Sequence, residues 1–367
     1  GSYDPDGDEL SYRWDFDGDG RWDTEFSTSG MATHEWADEY SGTVYMQAFD
    51  GRLTDVCSVS LDVANVDPEV SLTGDHVVAE GHTATIDIDI QDTGSLDSFS
   101  VELDWGDGNV ETISVPTNDR YLTVTHDYVD DDPTGTPHDE YTVTARVWDD
   151  DGGYGSTTKG VWVDNFAAEV TRNNFVKPNP YFILPLVHTV EFAASFTDIG
   201  VLDTHTAVWS WGDTTSENGV VFEADGSGTV AASHSWSVAG TYTVRLTVTD
   251  DDTEDSWVEW RIVVVSAQDA IGIVDDYIQE LPNPAFAKNA KAVLDKKGAL
   301  HVMALDMIAM IDDGDYNSAL NSMIRNFESK MDGLPTYKNS DWIVTKTDQA
   351  NLCSMLDDIE EYLSLMI

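Results

Sequence analysis

Basic residues are scarce in this chain: 18 Lys and Arg stand against 69 Asp and Glu in 367 residues, a formal net charge of −51. A surface so acidic repels phosphate backbones and anionic headgroups, which excludes nucleic acid and anionic membranes as partners. Long apolar runs are missing as well; nothing approaches the roughly 18 residues that a membrane-crossing helix needs, so no membrane insertion is expected. Cysteine is limited to two residues, too few for a disulfide framework. Cys57 alternates with Val59, Leu61 and Val63, and Cys353 lies in a distant helical stretch, so the two read as separate buried thiols. No leader-like segment opens the sequence, which reads as a soluble mature fragment. Also absent are HExxH, paired Cys–His spacings and GxSxG. With no catalytic constellation in view, a non-enzyme is expected.

What the chain has is aromatic: 12 Trp, 14 Tyr and 12 Phe, ample for packed cores. They recur in order. Trp14-Asp15-Phe16-Asp17-Gly18-Asp19-Gly20 returns in worn form as Leu103-Asp104-Trp105-Gly106-Asp107-Gly108, then as Trp209-Ser210-Trp211-Gly212-Asp213-Thr214. Downstream lie Thr33-His34-Glu35-Trp36, Thr125-His126-Asp127-Tyr128 and Ser233-His234-Ser235-Trp236, and after each an alternating strand that runs into acid at Asp50, Asp151 and Asp252. Three signals in register, three times, make a repeat of roughly 100 residues, the size of an antiparallel β-sandwich. Within each repeat the hydrophobic period is two, as in Thr85-Ile86-Asp87-Ile88-Asp89-Ile90. Each repeated His sits alone beside an aromatic, which favours a structural hydrogen bond over metal ligation.

The WDFGDG-like, HxY-like and YTVxLxVxD-like signatures resemble the PKD family of immunoglobulin-like domains across roughly Ser2 to Ser266. The first repeat departs in having Gly42 where the others have Tyr141 and Tyr242, and the third has Ser210 in place of Asp15 and Asp104. The fold expected is multidomain and mainly β, tandem immunoglobulin-like sandwiches followed by an all-α bundle. Boundaries fall at 1–66, 67–164, 165–266 and 267–367. The first sandwich begins at its B–C loop and lacks its first strands, so it is expected to borrow strands from upstream sequence or from another chain. Pro178–Val187 and Leu363–Ile367 are the apolar candidates for such a donor. Pro178–Val187 otherwise reads as an extra edge strand over its own core.

Near Ala267 the period changes to 3.6. Ile271, Val274, Ile278 and Leu281 form a stripe, Ala319, Met323 and Phe327 another, and Leu352, Leu356, Ile359 and Leu363 a third. Asn283-Pro284 reads as a helix start, Asp313–Asp315 as a cap, Thr345 with Asp348 as a capping-box-like start, and Gly298 and Gly314 as interruptions. Asn317-Ser318-Ala319-Leu320, Lys330-Met331-Asp332-Gly333 and the closing helix resemble the FIMAH module at the C-termini of surface proteins and secreted hydrolases. An independently folding bundle is expected.

Two acidic patterns point to Ca²⁺. Asp15, Asp17, Asp19, Gly20 and Asp23 have the spacing of an EF-hand-type loop, with Phe26 where the bidentate Glu would stand. The second pattern lies in loops that an immunoglobulin-like sandwich brings to one end. The B–C loops hold Asp4, Asp6 and Asp8; Asp92 and Asp97; Asp198 and Asp203. The F–G loops hold Asp50; Asp149, Asp150 and Asp151; Asp250, Asp251 and Asp252, with the linker residues Asp67 and Asp164 approaching. Interdomain Ca²⁺ is expected, against acidic loops splayed into solvent. The functional expectation is an extracellular, Ca²⁺-stiffened rod in a surface layer, stalk or filament, with other copies of itself or neighbouring surface proteins as partners. The alternative is an accessory module of a secreted hydrolase that holds polysaccharide or protein. Trp22, Trp36, Trp148, Trp162, Trp257 and Trp260 are its candidate stacking platforms; three or more coplanar on an exposed face would favour binding, burial the structural reading.

Overall fold

The computed structural model describes residues 2–131, 134–173, 175, 177–286, 290–330 and 342–367. The chain divides into two compact units, Gly1–Asn165 and Phe166–Ile367. Met331-Asp332-Gly333 of the FIMAH-like pattern lie outside the described residues.

In the first repeat, β1 (Ser11–Asp15), β2 (Tyr40–Phe49) and β3 (Thr54–Val63) make one antiparallel sheet in that order, with Trp14 opposite Met46 and Val44 opposite Val59. Among its described hydrophobic side chains only Phe16 and Val44 are buried, and Val59 is 60% exposed. The aromatics rally at one end: Phe16 stacks on His34 at 4.5 Å, and Trp36 on Tyr40 at 5.6 Å. Residues 33–36 form no strand. Cys57 is exposed and Cys353 half-buried, which corrects the expectation of two buried thiols. Cys57 faces solvent because, among the described residues, no second sheet lies over its face.

The second repeat has that second sheet. β4 (Glu69–Gly74), β6 (His82–Gln91) and β9 (Tyr121–Tyr128) form one layer. The other is β5 (Val77–Ala79), β11 (Tyr154–Asp164), β10 (His138–Asp149), β7 (Phe99–Asp104) and β8 (Val110–Val115), in that order. Period-two alternation aims Ile86, Ile88 and Ile90 from one layer at Val101, Leu103, Val143 and Val147 of the other, all buried.

The third repeat wraps one ribbon of seven strands round its core, β12 (Glu169–Arg172), β13 (Val190–Thr197), β16 (Ser227–His234), β15 (Ser216–Ala224), β14 (Thr206–Ser210), β17 (Gly240–Thr249) and β18 (Asp255–Val264) in spatial order. β15 turns the corner. Its first half, through Gly219, pairs with β14 and its second half, from Val220, with β16. A Cβ at Gly219 would come within 2.7 Å of Val230, so the bend needs glycine there. Trp209, Trp211, Trp236 and Phe192 fill the centre.

The helices are α1 (Ala267–Glu280), α2 (Ala290–Asp312), α3 (Tyr316–Ser322), which continues through a wider π turn at Met323–Phe327, and α4 (Lys346–Leu365). All three apolar stripes are buried. Ser266 and Asp269 close a capping box on α1, and Asp315 caps α3 through Ser318 N–H. Three local expectations need correction. Thr345 stands at the N-cap of α4 but makes no side-chain cap bond. Asn283–Ala285 is a 3₁₀ turn ahead of α2 rather than its start, and α2 runs unbroken through Gly298. Gly314, at φ 73°, does end it.

Pro178–Val187 is neither an edge strand nor a free donor. Ile183 enters the sandwich core while Phe182 and Leu184 enter the helical core. Ile183 O accepts Val265 N–H at 2.9 Å, and His188 Nδ1 accepts Leu184 N–H at 2.8 Å while its Nε2 lies 3.1 Å from Asp358. The segment is the seam between sandwich and bundle. Leu363, the first residue of the other candidate donor, is likewise buried in the helical core.

Candidate cation site at the junction of the first two repeats

Asp97 is the unusual residue. It is 1% exposed, and neither carboxylate oxygen accepts a hydrogen bond. A buried carboxylate in that condition is costly unless a cation compensates it. The loop that carries it is held by Arg120, which stacks over Phe99 and donates to the carbonyls of Asp92 (2.9 Å) and Gly94. The guanidinium is thus spent on backbone. Among the described residues no Lys or Arg pairs with the carboxylates nearby.

Those carboxylates come from three loops. Asp92 and Asp97 precede β7; Asp149 ends β10 and Asp150 and Asp151 follow it; Asp38 and Glu39 precede β2 in the first repeat. The loops are stitched together: Leu96 N–H donates to Ala37 O at 3.2 Å, Ser98 N–H to Asp150 Oδ1 at 2.8 Å, and Asn65 Nδ2 to Asp149 Oδ2 at 2.9 Å. Asp92, Asp97 and Asp149 place one oxygen each within 4.8 Å of the others, as do Asp97, Asp150 and Asp151, and Asp38, Glu39 and Asp151. A Ca²⁺ ion with ligands at about 2.3–2.6 Å can take any such triad. Beside them lies a cavity of about 130 Å³ lined by Trp36, Asp38, Glu39, Asn65 and Asp97. Burial, with the charges of Asp92 and Asp38, pushes the Asp97 carboxyl up to about 6. Hydrogen bonding to Asp151 and Asp38 pushes Glu39 up to about 7. Oxygen-only donors, an orphaned buried carboxylate and room for ion and water fit a hard divalent cation.

The structure therefore brings together Asp92, Asp97, Asp149, Asp150 and Asp151 of the residues singled out from sequence, and adds Asp38 and Glu39. Asp38 and Glu39 escaped the sequence reading because they lie in a connecting loop of the first repeat, outside the repeated markers. Asp67 stays at the margin, accepting Tyr154 N–H at 3.1 Å.

Elsewhere the acids are differently employed. Asp15, Asp17 and Asp19 do cluster. Their oxygens also brace the loop: Asp15 accepts from Gly18 N–H (2.7 Å) and Gly20 N–H (3.1 Å), and Asp19 from Arg21 N–H (2.7 Å). Asp23 accepts from Phe16 N–H at 2.7 Å. Asp4 accepts from the amides of Asp6 and Asp8, and Asp50 from those of Arg52 and Leu53. Asp4 and Asp50 line one cavity of about 400 Å³, so these loops also share an end. Asp164 is held by His138.

The third repeat departs from expectation at Asp198. His205 is enclosed by two carboxylates, with Nε2 2.9 Å from Asp198 Oδ2 and Nδ1 2.8 Å from Glu223 Oε2. Asp198 is thus paired with a buried histidine, whose protonated form would supply its counter-charge. Burial draws the His205 pKa down, but the bonds and charges of Asp198 and Glu223 outweigh it and the net shift is upward. The B–C and F–G loops still meet: Thr204 N–H donates to Asp251 at 2.9 Å, matching Ser98 and Asp150. Asp250 accepts Glu254 N–H at 2.8 Å, and Asp203 and Asp252 are buried.

The repeated histidines are structural in two repeats. His126 stacks on Trp105 and reaches Asp107 at 2.7 Å; His234 stacks on Trp211 and reaches Asp213 at 2.8 Å. Of the six tryptophans considered as platforms only Trp257 is exposed, at 53%, and Arg245 lies over its ring at 4.3 Å.

Residues 184–263, within the third repeat, match the family model of the PKD domain. Among solved structures, the chain is similar to the PKD domain of an M14-like peptidase from a Thermoplasmatales archaeon, at 19% identity over 28% of this chain and 97% of that one, TM-score 0.22. It is also similar to a tetra-tandem repeat in the extending region of a large adhesion protein, at 16% identity over 70% of this chain and 66% of that one, TM-score 0.38. No curated protein matches it in sequence. No helix among the described residues is long and apolar enough to cross a membrane.

Proposed function

We propose that the chain is an extracellular structural or adhesive element, a tandem of PKD-like sandwiches stiffened by Ca²⁺, that serves in a surface layer, stalk or filament and does no catalysis. The observation that carries this reading is the junction between the first two repeats. Residues of both repeats converge there on Asp97, whose buried oxygens accept no hydrogen bond. A cation held by Asp38 and Glu39 of the first repeat and Asp151 of the second would tie the repeats together, the function expected of a spacer under tension. The polysaccharide-binding alternative loses support because Trp260 is buried, four other candidate platforms are half-buried, and Trp257 is covered by Arg245.

The test is microscopy of the native assembly from the source cells, before and after chelation, with the intact mass of the polypeptide measured alongside. Surface-attached arrays that lose order on chelation are expected. A freely secreted protein that clings to polysaccharide and is indifferent to chelator would overturn the reading.

A further inference from the structure

We infer that the junction of the first two repeats takes two Ca²⁺ ions that share the Asp97 carboxylate, rather than one. The inference rests on the Ca²⁺ reading above and assigns its stoichiometry and ligands. Three triads at this junction are linked: Asp97 belongs to Asp92/Asp97/Asp149 and to Asp97/Asp150/Asp151, and Asp151 to the latter and to Asp38/Glu39/Asp151. A carboxylate common to two ligand groups can give one oxygen to each of two ions. Asp97 is suited to that role because both its oxygens are buried and neither accepts a hydrogen bond.

Charge points the same way. Asp38, Glu39, Asp92, Asp97, Asp149, Asp150 and Asp151 are acidic and no basic side chain among the described residues pairs with them. One divalent ion would leave most of that charge uncompensated in a partly buried site, and a second ion offsets more than half of the total. The oxygens that remain also divide into two sets. Asp149 accepts Gly153 N–H (2.6 Å) and Asp151 N–H (3.1 Å) at Oδ1 and Asn65 Nδ2 (2.9 Å) at Oδ2, which fixes its carboxylate in place and leaves Oδ2 a lone pair for an ion. Asp92 Oδ2 is buried beside it and accepts nothing. These two with Asp97 form the inner site. Asp38 and Glu39, brought by the docking of Ala37 on Leu96, form with Asp151 the outer site at the 130 Å³ cavity, which Asp97 also lines and to which it gives its second oxygen. Coordination by six to eight oxygens at flexible loops, with water to complete the shell, suits Ca²⁺ better than Mg²⁺.

The test counts calcium on the full chain by equilibrium dialysis at millimolar free Ca²⁺, comparing the wild type with Asp97→Asn, Asp92→Asn and Glu39→Gln. All are near-isosteric and remove charge, so they should fold, which near-UV circular dichroism checks. Loss of two ions by Asp97→Asn is expected, loss of one by each of the others, and loss of two when Asp92→Asn and Glu39→Gln are combined. Loss of only one ion by Asp97→Asn and by the combined variant would establish a single-ion site and overturn the inference. Unchanged binding in all variants would place the calcium elsewhere, and a wild type that binds none would sink the Ca²⁺ reading itself. Tb³⁺ luminescence sensitised by Trp36, which lines the cavity, locates the outer ion. Trp36→Phe should abolish most of the sensitised emission that Glu39→Gln also abolishes; emission that survives both would exclude the outer site.

Discussion

A histidine flanked by two carboxylates does at His205 what a metal is proposed to do at Asp97. The imidazole is buried and each ring nitrogen faces an acid, so the protonated form satisfies both Asp198 and Glu223. Its pKa is raised in the folded state, so the stabilisation is complete below the unfolded value near 6.5 and is lost as pH rises through the higher folded value. Replacing His205→Gln leaves Asp198 buried without its counter-charge and should cost about 3–5 kcal/mol near neutral pH, the penalty for breaking a buried pair. Thermal melts from pH 5.5 to 8.5 check this: the wild type should weaken toward alkaline pH while the variant stays flat. A variant as stable as the wild type would show that the triad carries no net stabilisation. The motif was not legible in the sequence, since Glu223 is far from His205 and only the pairing of β14 with β15 brings the strands alongside. The repeated His126 and His234 were legible, because each follows its tryptophan and turn aspartate at similar spacing.

At the scale of elements, period made most of the fold readable. Alternation in β6 and β10 and the 3.6-residue stripes of α1 and α4 each had one solution, a buried face. The seam did not, because Phe182, Ile183 and Leu184 are apolar in succession and such a run fits any buried surroundings. It serves two cores at once, which makes independent folding of the bundle hard to sustain. Leu184→Ala should cost about 2–5 kcal/mol. In a 166–367 fragment, strand and helix signals should melt together and shift together in the variant; a helical transition unmoved by Leu184→Ala would restore the bundle as a separate domain. A second prediction lies on α4. Burial, with the charge and hydrogen bond of Glu328, pushes Glu360 up to about 7. A carboxyl raised on folding binds its proton more tightly in the native state, so bundle stability falls as pH rises from about 4.5 through about 7. Glu360→Gln should remove that slope and raise the melting temperature at pH 8 by a few degrees, about 1 kcal/mol after solvent screening. A slope unchanged in the variant would assign the dependence to other groups.

For the whole molecule the question is what answers a formal charge of −51. Two agents could do so, and they act at different ranges. Monovalent salt screens exposed charges beyond about 8 Å at physiological strength and about 3 Å at 1 M, so it relieves the diffuse repulsion of the whole surface. It reaches buried groups poorly. Asp97, enclosed and reached by no donor, is the group at which the proposed bound ion acts. Calcium at roughly ten to a hundred times its dissociation constant would stabilise by about 1.4–2.7 kcal/mol per site. Extracellular modules with affinities of about 10⁻⁴–10⁻³ M would then require millimolar calcium or more. Calorimetry of the full chain separates the two agents. Chelation should lower the transition that contains the first two repeats, molar NaCl should raise all transitions modestly, and only added Ca²⁺ should restore the chelated one fully. Asp97→Asn should behave as if already relieved: less stable than the calcium-loaded wild type, more stable than the chelated one, and unresponsive to chelator at that junction. If molar NaCl alone returns the chelated protein to its calcium-loaded melting temperature, the acidity is an adaptation to salt and the junction is not a calcium clamp.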